Sequence, residues 1–108
     1  MTKQELFDVI VRGLDSQGWV RCGDANGDCI YSDGNGNHCA IGWLAPECPK
    51  EYCKTLSFFL SEFRPDLSTQ AIDFFVDAQY YHDSAKTPDE MRSNFKRLAA
   101  DYDLEFAL

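Results

Sequence analysis

The sequence predicts an α+β domain that is predominantly helical, with about four helices and a small β-hairpin inserted after the first. Three observations lead there. Apolar residues recur at helical spacing near the start of the chain and three more times in its second half. Helix-start signals stand before those runs. Between the first run and the others lie two clusters of turn-forming residues, "GDANGD" and "SDGNGN".

The first helix is expected from Lys3 to Gln17. Thr2 and Glu5 make a capping box, in which hydroxyl and carboxylate satisfy amides that have no partner inside a helix. Leu6, Phe7, Ile10, Val11 and Leu14 then line one face up to a stop at Gly18. From Trp19 to Asn37 the periodicity gives way to the short pieces "WVRC", "CIYS" and "HCAI", which read as short strands. The latter two would pair as a hairpin across Asp33 to Asn37, with Gly34 and Gly36 supplying positive φ. Pro49 suits the first position of a second helix, whose face is Tyr52, Leu56, Phe59, Leu60 and Phe63 and whose end is Pro65. Ser68 caps a third, carrying Ile72, Phe75, Val76, Gln79 and Tyr80 and ending near His82 and Asp83. Thr87, Pro88 and Glu90 repeat the start signals for a fourth, with Met91, Phe95, Leu98 and Tyr102 on its face. The short loop around Ser84 to Lys86 makes the last two helices antiparallel neighbours, and "LEFAL" is apolar enough to dock back on the core.

A chain of 108 residues is a single domain, 1–108, able to bury roughly 65% of its unfolded surface around one core. Its 44% hydrophobic content separates it from disordered sequences. No apolar run approaches the ~20 residues of a membrane span, so no membrane partner is expected and the cytoplasm is the expected location. The five cysteines are an odd number without an export signal, which favours reduced thiols over a disulfide framework.

Eighteen acidic against ten basic side chains leave a formal charge of −8. Two stretches lack any Lys or Arg: between Arg21 and Lys50, with Asp24, Asp28, Asp33 and Glu47, and between Arg64 and Lys86, with Asp66, Asp73, Asp77 and Asp83. Such fields repel phosphate, which argues against direct nucleic-acid binding, and attract a basic protein surface. The plainer reading is that acidity keeps a small protein soluble.

Candidate chemistry is thin. Counting from Asp24 or from Asp33, the sixth and twelfth positions are Cys29 and Asn35, or His38 and Leu44, where a calcium loop needs Gly and a bidentate Glu. Turn formation accounts for those Asp, Asn and Gly residues. The cysteine spacings are not those of zinc knuckles, and a metal site drawn from Cys29, Cys39, Cys48 and Cys53 is only an alternative, so no cofactor is expected. A thiol hydrolase or transferase is a sharper alternative. If Asn37 caps a short helix, the Cys39 thiol lies in its first turn, with His82 as a distant base and Asp83 or Asp77 to orient it. Against it, "HCAIGWL" reads as buried, and buried thiols are common.

The aromatic set Phe58, Phe59, Phe63, Phe74, Phe75, Tyr80 and Tyr81 exceeds what one face per helix needs. One of each neighbouring pair, Phe58, Phe74 or Tyr81, is expected to look toward another element or a partner. Asp73 and Asp77, at i and i+4, share a helical face. The expected partner-binding set is therefore Asp66, Asp73, Asp77, Phe74 and Tyr81.

The run Cys29-x-Tyr31, Gly36-x-x-Cys39-Ala40-Ile41-Gly42, Leu44 and Pro46, with the later pair His82-Asp83, resembles a group of small proteins from bacteriophages and bacteria over roughly residues 28 to 104. That group places the Cys, Tyr and "CAxG" run in a hairpin-like segment and the His-Asp pair at a helix end, and no activity attaches to the pattern. The chain departs from it at Asp103, where a Gly would usually stop the last helix. The resemblance implies a phage or mobile-element setting. The expected function is that of a non-enzymatic, acidic protein in the bacterial host's cytoplasm. It would bind and inhibit a host protein through that protein's basic surface, as an anti-CRISPR does when it blocks a nucleic-acid-binding defence enzyme such as a CRISPR effector.

Overall fold

A computed structural model of the chain describes residues 2–23, 31–50, 52, 54–67 and 72–108. Among these the α-helices are α1 (Lys3–Ser16), α2 (Leu56–Phe63), α3 (Ile72–Asp83) and α4 (Pro88–Asp101), with one 3₁₀ turn at Ile41–Leu44. No β-strand occurs among the described residues, which corrects the α+β expectation to an all-helical one.

The expected hairpin is reduced to a single antiparallel bridge between Ser32 and His38. Two backbone bonds bracket it: Asp33 N–H to Asn37 O at 3.2 Å and Cys39 N–H to Tyr31 O at 3.3 Å. The loop between is a real turn, with Gly34 and Gly36 at φ +78 and +92. The returning segment cannot extend into a strand because Ala40 is already right-handed helical and leads into the 3₁₀ turn. The segments "WVRC" and "CIYS" form no strand among the described residues, and Cys29 and Ile30 lie outside them. The first turn cluster, the proposed Ser68 cap, and Cys53 also lie outside.

Both capping signals operate. Thr2 accepts from Glu5 N–H at 3.1 Å while Glu5 accepts from Thr2 N–H at 2.8 Å. At α4, Thr87 accepts from Glu90 N–H, but the Glu90 carboxylate reaches past it to the Lys86 amide at 3.3 Å. The second helix starts later than Pro49 suggests. Turns occupy that region, and Thr55, in extended backbone, precedes the first helical residue.

The 3₁₀ turn is wedged between α1 and α3. The Trp43 indole lies flat on the backbone at Gly13, so closely that a Cβ there would overlap the ring. A glycine inside a helix costs about 1 kcal/mol relative to alanine, and here it provides the space the indole occupies. Phe7, Ile10, Leu14, Ile41, Phe59, Leu60, Phe74, Phe75, Met91, Phe95 and Leu98 form the centre of the core, with essentially no exposure. Tyr31 stacks on Phe59 at 4.2 Å, Tyr52 meets both edge-on, Phe63 lies edge-on to Tyr52 and tilted against Phe59, and this aromatic group joins α2 to the 31–39 loop.

The last residues return to the core. Phe106 sits against Phe7 at 6.3 Å and Trp19 at 6.0 Å, and Gln4 exchanges two hydrogen bonds with the Glu105 backbone at 2.8 and 3.0 Å. Arg92 and Lys96 lie over the Phe106 ring from α4.

Candidate functional site

The thiol alternative meets its geometry first. Cys39 is buried, and its sulfur accepts the Gly42 amide at 3.2 Å; burial pushes the thiol well above its ordinary range, against the activation a nucleophile needs. His82 is fully buried, and both ring nitrogens are occupied. Nε2 accepts the Cys22 amide at 3.3 Å, so the proton sits on Nδ1, which donates to Asp83 Oδ1 at 2.8 Å. No hydrogen bond joins Cys39 to His82. The ring that was to act as base instead ties the Cys22 amide to the end of α3. Gln79 extends the tie, donating to Asp83 at 2.8 Å and accepting the Ile41 amide at 3.3 Å.

Among the described residues, no three His, Cys, Asp or Glu side chains come together in a metal-binding arrangement. Of the alternative metal set, Cys48 is buried and its thiol is pushed up to about 11 by that burial, with Glu47 and Glu62 adding to the effect. Cys29 and Cys53 lie outside the described residues.

The surface set divides. Asp66 is exposed, but Arg64 holds it in a two-pronged ion pair, Nε to Oδ1 at 3.1 Å and Nη2 to Oδ2 at 3.0 Å. Its charge is therefore largely answered within the chain. Phe74 is not at the surface: it is fully buried edge-on against Tyr102 of α4 at 5.2 Å, while Phe75 beside it is buried as well. Adjacent aromatics share the interior because α3 is packed against α4 on one side and the 3₁₀ turn on another. Tyr81 is half-buried, its hydroxyl donating to Asp101 at 2.8 Å. The ring that faces solvent is its neighbour Tyr80.

Asp73 and Asp77 are exposed as expected. Tyr102 donates to Asp77 at 2.6 Å, and partial burial together with that bond and the carboxylates of Asp77, Asp73 and Asp101 pushes the phenol up to about 12. Three carboxylates thus gather where the start of α3 meets the end of α4. Lys3 lies over the Tyr102 ring at 5.4 Å.

Beside these acids runs a feature that residue-by-residue reading missed. Ile72, Val76 and Tyr80 stand at i, i+4 and i+8 on the outside of α3, with exposures of 38, 50 and 67%. The signal was present in the sequence: "IDFFVDAQYY" is apolar on nearly every side, and a helix of that kind normally has covers on more than one face. Phe58 on α2 is also exposed, with Lys54 over its ring at 5.8 Å. Among the described residues, no helix is long and apolar enough to cross a membrane. No family model, curated protein or solved structure matches the chain.

Proposed function

We propose that the chain is a non-enzymatic binding protein that engages a basic surface of another protein through the outer face of α3. The observation that carries this reading is the placement of Asp73 and Asp77 beside the exposed Ile72, Val76 and Tyr80, on a helix without Lys or Arg. Carboxylates flanking apolar area supply steering and specificity at the rim, while the apolar residues supply contact area once water is excluded. The occupied ring nitrogens of His82 support a binding role over thiol catalysis.

In the phage or mobile-element setting that the sequence resemblance implies, the specific form of this reading is inhibition of a host protein in the bacterial cytoplasm. The target class is a nucleic-acid-binding defence enzyme such as a CRISPR effector. Asp73 and Asp77 would occupy part of the basic surface that otherwise holds phosphates, an exchange that requires no nucleic-acid contact by the chain itself.

The test uses purified CRISPR effectors and measures their DNA binding with and without the chain. Inhibition is expected for at least one, and the double variant Asp73→Lys/Asp77→Lys should raise the concentration needed at least tenfold. Inhibition that is indifferent to this charge reversal overturns the proposed surface. DNA binding unaffected by the wild-type chain across effector types overturns the inhibitor form.

A further inference from the structure

The carboxylates and the apolar residues of α3 lie on one helix, and their order around it restricts the shape that can cover them. We propose that the outer face of α3 takes an amphipathic helix of the partner, one with an apolar centre line and basic residues along the edge that meets Asp73 and Asp77. This rests on the binding role proposed above and names the element that fills the site.

Ile72, Val76 and Tyr80 form a single i, i+4, i+8 ridge about 12 Å long at 1.5 Å per residue. Ridges of this spacing fit into the grooves between the equivalent ridges of a second helix, at a crossing angle of about −50°, with the middle residue at the point of closest approach. Val76 has that position. Two to three turns of a partner helix cover the ridge, which is the scale of helix-in-groove recognition.

The edges select the partner's charge. Going around α3, Asp73 and Asp77 follow Tyr80 on one side of the ridge and Gln79 lies on the other, with Asp83 three residues past Tyr80 at the end of the helix. Asp83 keeps a side-chain exposure of 40% while it holds His82. A helix lying along the ridge has one flank over Asp73 and Asp77, so Lys or Arg on that flank meets opposite charge; on the other side Asp83 already accepts from His82 and Gln79, and Arg21 is bonded to its carbonyl. A second copy of the chain does not fit. It would lay Asp73 and Asp77 against their own counterparts, and each chain carries a formal −8.

The test titrates the ¹⁵N-labelled chain with a synthetic peptide designed as a helix, with Leu at i, i+4 and i+8 and Lys along one flank. A control peptide has the same composition in scrambled order. Saturable binding is expected, with amide shifts centred on Ile72, Val76 and Tyr80 and affinity at least tenfold above the control. Val76→Lys should lower that affinity at least tenfold with the circular dichroism spectrum unchanged, because the residue is half exposed. Equal affinity for both peptides, with dependence on Asp73 and Asp77 retained, overturns the helical occupant and leaves the basic-partner reading standing. Affinity that ignores charge reversal at those residues overturns both. Concentration-dependent dimerisation through α3, seen by sedimentation, overturns the proposal in favour of a second copy.

Discussion

At the scale of single residues, Gln17 joins three separate parts of the fold. Its Nε2 donates to the carbonyls of Val20 and His38 at 2.9 Å each, and its Oε1 accepts from the His38 amide at 2.9 Å and the Trp43 indole N–H at 3.1 Å. One amide thus joins the end of α1, the 31–39 loop and the 3₁₀ turn. Gln17→Leu keeps the size and removes all four bonds, leaving the His38 backbone and the indole N–H short of partners. A loss of about 2–4 kcal/mol is expected, measurable by urea unfolding. Nothing in the sequence singles this residue out, since its partners are distant groups that only the fold assembles. Asp73 and Asp77 were legible for the opposite reason: their relation is local, fixed by helical periodicity. Phe74 was misplaced because the rule that adjacent residues cannot share a face assumes one neighbouring element, and α3 has two.

At the scale of elements, local chemistry again separates what could be read from what could not. The starts of α1 and α4 were legible in Thr2, Glu5, Thr87 and Glu90, whose side chains bond locally at the helix start, and in Pro88 at the first turn. The hairpin was not, because the choice between strand and 3₁₀ turn at "HCAIGWL" is made by packing. Gly42 lies against the Tyr31 carbonyl so closely that a Cβ would overlap it, and that contact sets the direction of the chain. The end of α4 shows a sequence departure with a structural answer. Asp103 takes the left-handed position at φ +55, where its N–H bonds to Ala100 O at 3.3 Å and the Leu104 N–H reaches back to Ala99 O at 2.8 Å. This is the Schellman pattern that Gly18 forms after α1, completed here without glycine. Asp103→Gly should therefore stabilise the protein by up to about 1 kcal/mol, seen as a higher thermal midpoint, because the backbone strain is removed and no buried contact is lost.

For the whole molecule, the same 31–39 loop contributes two groups to the response to acid. His38 is buried with Nδ1 lacking a hydrogen-bond partner; burial holds its pKa below the ordinary 6.5, opposed by a bond to the Tyr31 carbonyl and by the charge of Asp33. Above 6.5 both folded and unfolded chains carry the neutral ring, and His38 has no effect. As pH falls through 6.5 the unfolded chain takes up a proton that the folded one resists, so stability declines until the folded value is reached. Asp33 acts lower. Partial burial would raise its carboxyl, but donation from Asn35 and from both amides of Asn37 outweighs that and holds it below 3.8. Its contribution is present above 3.8 and disappears as pH falls through the folded value. His38→Gln should flatten the dependence of the urea midpoint on pH between about 7 and 5 while leaving the steeper loss below about 4 in place. The two tryptophans make these events visible without a label. Trp43 meets the His38 ring edge-on at 4.6 Å, and Trp19 stacks on Phe106 of the returning tail. A protonated imidazole quenches indole emission on contact, so Trp43 reports the charge of the loop while Trp19 reports release of the tail, and the chain carries two separate optical gauges of its own unfolding.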